Sequence, residues 1–175
     1  TPKVSINLSA LAKGYGIDMV ASTLEEQKIR NFLVEIGGDL ITSGTNKDGK
    51  AWTIGIEAPK VEEQIVQSVI KVKNQAMATS GDYKNFFEKN GIKYSHIINP
   101  KTGYPIQHKT LSVTVLAETA VLADGWATAM LVLGSEEGMI LANKLGIPVF
   151  FISSDAKTFI TDASAAFKQY VARNR

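Results

Sequence analysis

Short apolar or alternating segments, separated by turn residues, run through most of the chain. This pattern constrains the fold more than any other feature. A period of two marks strands with one buried face, and short turns join successive strands in antiparallel fashion. Trp52, Ile54 and Ile56 alternate with Thr53, Gly55 and Glu57, and Val66, Ser68, Ile70 and Val72 share one face. Further strands are predicted over 31–36, 40–43, 76–79, 94–98, 111–117, 149–153 and 158–161. Gly37-Gly38-Asp39 and Asp48-Gly49 supply turns. Asn90-Gly91 joins 86–89 to 92–94, and Ser154-Asp155 closes a later hairpin.

Helical periods interrupt these strands. Residues 9–27 read as a helix capped by Ser9, with Leu11, Tyr15, Met19 and Val20 as its apolar stripe. Gly14 and Gly16 each cost about 1 kcal/mol relative to Ala there, which points to close approach by another backbone or a ligand. A helix over 118–133 ends at Gly134, and Ser135 caps a second one that ends at Gly146. Asp162 is expected to cap a last helix over 163–172. Strand meanders interrupted by helices predict an α+β fold, a largely antiparallel sheet flanked by helices.

Composition narrows the function. The 175 residues suit a single domain with no linker or repeat, and 45% are apolar, so the chain can bury a core. Nineteen basic residues face seventeen acidic ones without a basic cluster, so no nucleic-acid partner is expected. The absence of cysteine excludes disulfides, thiolate nucleophiles and zinc–thiolate sites. No apolar stretch is long enough to span a bilayer. The chain opens on Thr1 without a signal peptide, so the expectation is a removed leader or a piece of something longer.

Three segments hold polar residues that packing alone does not require. Asp124 and Thr128 stand four apart on one face of an apolar helix. A buried carboxylate needs a partner. Either a hard cation such as Mg²⁺ takes both oxygens, or Asp124 bonds a nearby amide or lysine. His96 lies where a strand enters a stiff proline-rich turn. It is either a general base or a structural histidine bonded to a loop carbonyl. His108 is expected to be exposed. The segment Asn7–Tyr15 opens a helix whose N-terminus favours phosphate, and Lys13 adds a charge. Gly37-Gly38-Asp39 and Ser80-Gly81-Asp82-Tyr83 are either ligand loops or plain turns.

Together these segments resemble a known family. In order they are Ser-Ala-Leu-Ala-Lys-Gly-Tyr, Glu-Ile-Gly-Gly-Asp, Thr-Ser-Gly-Asp-Tyr, Tyr-Ser-His-Ile-Ile-Asn-Pro-Lys-Thr-Gly-Tyr-Pro, Ser-Val-Thr-Val and Leu-Ala-Asp-Gly-Trp-Ala-Thr-Ala. The chain resembles the FAD:protein FMN transferases, the ApbE family of flavin transferases, formerly called thiamine biosynthesis lipoproteins. The resemblance covers essentially the whole chain and implies an ApbE-like (T-fold-like) architecture. It implies an Mg²⁺-dependent transferase that cleaves FAD, attaches FMN to a Thr or Ser hydroxyl of a target flavoprotein subunit, and releases AMP. Asp124, Thr128 and the backbone oxygen of Ala10 match the metal positions. His96 matches the base, and Asn7, Lys13 and Ile98 match positions lining the FAD site. Asn7 stands where the family commonly has Asp, and Gly125 where Ala is commoner. The match begins near the family's midpoint, so the chain reads as a C-terminal portion whose N-terminal part is absent. The resemblance also implies a periplasmic location, with membrane attachment only through a lipid anchor that this chain lacks. The rival readings are an FAD pyrophosphatase, with water replacing the target hydroxyl, and a flavin-binding protein without turnover.

Overall fold

A computed structural model describes residues 7–59, 65–82, 86–89, 92–155 and 158–174. The elements run α1 (Ala12–Glu26), β1 (Phe32–Ile36), β2 (Asp39–Ser43), β3 (Trp52–Glu57), β4 (Val66–Val72), β5 (Gln75–Gly81), β6 (Phe86–Lys89) and β7 (Ile92–Ser95). They continue as β8 (Thr110–Ala117), α2 (Ala120–Leu145), β9 (Val149–Asp155), β10 (Thr158–Ala163) and α3 (Ala165–Arg173). Six strands form an antiparallel sheet in the order β1-β2-β5-β8-β9-β10, and β3-β4 and β6-β7 are separate hairpins. The expected antiparallel α+β architecture is therefore present. The Asn90-Gly91 turn and Tyr83 lie outside the described residues.

The sheet separates two apolar layers. On one face, Ala76, Ala78, Val113 and Val115 pack against Ala123, Ala127, Met130 and Leu131 of α2 and Ile17 of α1. On the other, Leu40, Met77, Leu116 and Ile152 pack against Ile56, Ile70 and Val72 of the β3-β4 hairpin and Phe167 of α3. The site lies at one end of the first layer, where small residues let two helices come close.

Several local expectations need correction. Helix α1 starts at Ala12 rather than Ser9, and no side chain caps it. Its buried residues are Gly14, Ile17 and Ala21, while Leu11, Tyr15, Met19 and Val20 are exposed. The docking face is chosen by smallness. A Cβ on Gly14 would lie 2.3 Å from the carbonyl oxygen of Ala120, so the two helices touch backbone to backbone. Gly16 has no such constraint, with its nearest neighbour at an ordinary 3.6 Å.

The break expected at Gly134 is present: α2 is two helices joined across a kink where Gly134 adopts φ 78° and ψ 172°, and Gly146 ends the second as expected. Asp162 belongs to β10, paired with Phe151, and the cap of α3 is the fully buried Ser164. Ser164 Oγ accepts from Phe167 N–H at 3.2 Å and from Val149 N–H at 3.0 Å, and donates to the Ile147 carbonyl at 2.8 Å. Ser154 and Asp155 pair within the β9-β10 ladder instead of forming its turn. Strand β7 stops at Ser95, which leaves His96 in a bend and Ile98 in an isolated bridge to Pro105.

Candidate functional site

The glycine turn after β1 starts the site. Gly37 and Gly38 have φ of 58° and 92°, the backbone that a two-residue hairpin loop demands. That loop pairs Ile36 with Asp39 and points Asp39 into the first layer, where it is only 1% exposed. Asp39 Oδ1 accepts from Thr79 N–H at 3.0 Å, and Asp39 Oδ2 lies 2.7 Å from Lys13 Nζ. This contact is an ion pair without the angles of a directional hydrogen bond. The ammonium is therefore held by charge.

Asp124 comes from the first half of α2 and is 3% exposed. Its Oδ2 accepts from the Gly14 N–H at 3.0 Å. In a regular helix that N–H would reach back to the Ala10 carbonyl. Here it goes to Asp124, and among the described residues no backbone donor reaches the Ala10 carbonyl. Burial pushes the Asp124 carboxyl above its usual range. The Gly14 N–H pulls it down, Asp39 pushes it up and Lys13 pulls it down, in decreasing order. One turn on, Thr128 Oγ1 lies 3.1 Å from Ser80 Oγ of β5.

The start of α2 is held by Asp18 of α1, which sequence reasoning passed over. Its two carboxylate oxygens accept from Ala120 N–H at 2.7 Å and Val121 N–H at 2.9 Å. A carboxylate at a helix N-terminus answers both orphan donors and dipole. Together with Gly14 it fixes α1 against α2, and so fixes Ala10 and Lys13 relative to Asp124.

The opposite wall is the segment after β7. Asn99–Pro105 is the tight loop its prolines and glycine predicted: Asn99 N–H donates to the Tyr104 carbonyl at 2.9 Å, and Gly103 N–H to the Asn99 carbonyl at 2.8 Å. The Ile106 N–H closes the base on the Ile97 carbonyl at 3.0 Å. His96 and Ile98 are exposed on this wall. Asn7 sits at the mouth, where its side-chain oxygen accepts from the Ser9 N–H at 2.9 Å and from the Ser9 hydroxyl.

One cleft of about 560 Å³ is lined by Asn7, Ala10, Lys13, His96, Ile98, Asp124 and Thr128 together. These seven residues come from three parts of the chain up to 121 positions apart. Ser80 and Thr79 also line it, and Asp124 is its one carboxylate among the described residues. His108 does not join it. Instead of lying exposed, His108 is half-buried, its Nε2 lies 2.7 Å from the Leu131 carbonyl, and its ring packs on Gly134.

The donor set fits a hard divalent cation. A carboxylate, a hydroxyl one turn later and a carbonyl relieved of its helical bond all present oxygen to one cleft, and Mg²⁺ is held by few protein oxygens plus phosphates and water. Among the described residues no three His, Asp or Glu side chains gather into a metal cluster, so the set depends on that single carboxylate.

The model of the ApbE family matches residues 1–151. The chain belongs to the ApbE family. It is similar to the FAD:protein FMN transferase of Vibrio cholerae, 45% identical over 172 residues, covering 98% of this chain and 52% of that one. It is 46% identical over 169 residues to the enzyme of the same name from Haemophilus influenzae, covering 96% and 49%. Among solved structures, the flavin transferase ApbE of Vibrio cholerae superposes with a TM-score of 0.86 at 44% identity, covering 97% of this chain and 53% of that one. The ApbE protein of Thermotoga maritima superposes at 0.83 with 31% identity, covering 96% and 54%. This ApbE-family chain thus spans about half the length of the curated relatives it matches.

Proposed function

We propose that the chain carries the metal- and base-bearing part of an FAD:protein FMN transferase. The observation behind this reading is the single cleft shared by Asp124, Thr128, Ala10, Lys13 and His96. In the proposed reaction a Thr or Ser hydroxyl of a target flavoprotein attacks the FMN phosphorus of FAD. A new O–P bond forms, the phosphoanhydride P–O bond breaks, and AMP leaves with the electron pair. The hydroxyl proton passes to the His96 imidazole.

Asp124, Thr128 and the Ala10 carbonyl would hold Mg²⁺, which when bound neutralises charge on the phosphates. Lys13 adds a cation beside them, and α1 turns its N-terminus to the same cleft. Asn7 and Ile98 border the flavin nucleotide at the mouth. Transfer of this kind depends on positioning and charge more than on covalent help. The rigid Asn99–Pro105 loop and the Gly14 contact supply the positioning. By the same resemblance the reaction runs on the periplasmic side of the membrane.

The test mixes this chain with FAD, Mg²⁺ and a target subunit, then measures flavin fluorescence on the denatured target. Covalent flavin is expected. Free FMN and AMP with an unlabelled target would instead make the chain a pyrophosphatase. Asp124→Ala should slow Mg²⁺-dependent turnover by about 10²–10³-fold, and an unchanged rate would remove the metal assignment.

A further inference from the structure

Asp39 was expected to be a turn residue or part of a ligand loop, and the proposed reaction gives it no task. It is nevertheless almost fully buried and charged, and its two oxygens have separate partners: Thr79 N–H on β5 and Lys13 Nζ on α1. Neither partner is a sequence neighbour, and the Gly37-Gly38 turn exists in a geometry that delivers the carboxylate there. The stem of Lys13 passes Gly37, where a Cβ would lie 3.7 Å from its Cδ. Lys13 is therefore drawn along the hairpin toward Asp39.

The alternative partner for that ammonium is evident. Lys13 precedes Gly14, whose N–H holds Asp124, and Asp124 is the one carboxylate lining the cleft among the described residues. Lys13 and Asp124 line the same cleft, whereas Asp39 lies outside its lining. An ammonium released from Asp39 would move toward Asp124 and compete with any cation there.

We propose that Asp39 is a positioning residue: it holds the Lys13 ammonium off Asp124 and so keeps that carboxylate available to a divalent cation. The proposal rests on the Mg²⁺-dependent reading above. Asp39 does not line the cleft, and it acts on the site through its hold on Lys13.

The experiment compares the chain with its Asp39→Asn, Lys13→Met and Asp39→Asn/Lys13→Met variants, titrating Mg²⁺ calorimetrically in saturating FAD. Asparagine keeps an oxygen for Thr79 N–H, so the hairpin is retained. Asp39→Asn should weaken Mg²⁺ binding about 10-fold or more, and the double variant should recover to within about 3-fold of Lys13→Met. A merely structural Asp39 would not be rescued by removing a second side chain. Unchanged Mg²⁺ affinity in Asp39→Asn, or a double variant as weak as the single one, overturns the proposal. Failure of the parent chain to take up Mg²⁺ would sink the metal reading instead. The crystal structure of Asp39→Asn then judges the positioning claim separately. Lys13 Nζ within ion-pair distance of Asp124 upholds it, and an ammonium turned to solvent refutes it.

Discussion

The two halves of α2 differ in sequence and in work: 120–133 is apolar but for Asp124 and Thr128, whereas 135–145 carries Ser135, Glu136, Glu137, Asn143 and Lys144. Before Gly134, the helix packs on the sheet and also faces α1 and the cleft. There Asp18 caps it, Gly14 touches its backbone, and Asp124 and Thr128 reach outward. After Gly134, the helix faces the sheet. Gly138 lies against Phe151, Ala142 is buried, and Gly146 ends the helix in a left-handed C-cap. Polar groups are buried only in the half whose neighbour is another helix end with free N–H groups to answer them. The other half packs Gly138 and Ala142 on the sheet and leaves Glu136, Glu137, Ile140, Asn143 and Lys144 exposed.

Gly14→Ala tests the first half most severely. The added methyl would stand 2.3 Å from a backbone oxygen that cannot move alone. We expect about 3 kcal/mol of destabilisation in urea unfolding, with loss of Mg²⁺-dependent turnover. Gly134→Ala tests the second half. Its φ and ψ lie in a region open essentially to glycine, and the methyl would press on His108 at 2.9 Å. A loss of about 2–3 kcal/mol is expected, but the folded fraction should keep Mg²⁺ affinity near that of the parent. Equal damage to the cleft from both glycines would erase the contrast between the halves.

Asp18→Ala removes the cap without adding bulk. Two charge-assisted bonds to the first N–H groups of α2 are lost, so about 2 kcal/mol of stability should go. The cost should shrink in high salt less than for a surface pair, because the carboxylate is partly buried. If Asp18→Ala unfolds at the parent's urea midpoint, capping by α1 contributes nothing and the docking rests on Gly14 alone.

Local signals carried much of the fold. Alternation in 52–57 and the apolar run of β8 marked their strands, and Gly14 announced a close approach. The Asp124–Thr128 pair was legible as one helix face, and motif order joined it to His96 and Lys13. The misses have a common cause. Asp18 serves N–H groups 102 and 103 positions away, and Asp39 serves residues on α1 and β5. No local period encodes such pairs. Ser164 and Asp162 are both good cap types, and only the end of β10 decides between them. The apolar stripe of α1 misled because the face that docks is set by Gly14, where α1 and α2 meet backbone to backbone, and that turns Ile17 and Ala21 inward and Leu11, Tyr15 and Met19 out.

The smallest expected effect concerns the charge of Asp124 itself. Burial raises its carboxyl above the ordinary 3.8, more than the Gly14 N–H lowers it. The folded chain therefore holds this proton more tightly than the unfolded chain does. That contribution to stability is fully present below the unfolded value and is lost as pH rises through the folded one. Burial disfavours the charged form of this group in the metal-free chain. Asp124→Asn removes the charge and keeps an oxygen for the Gly14 N–H. It should raise the urea midpoint in the presence of a chelator at pH 7, and the gain should vanish as pH falls below about 3.8. Adding Mg²⁺ and FAD should reverse the order at pH 7, because only the parent binds the cation. A metal-free parent more stable than Asp124→Asn at pH 7 would mean that Lys13 already neutralises Asp124. The first half of α2 would then be a satisfied ion pair rather than a site kept open for a cation.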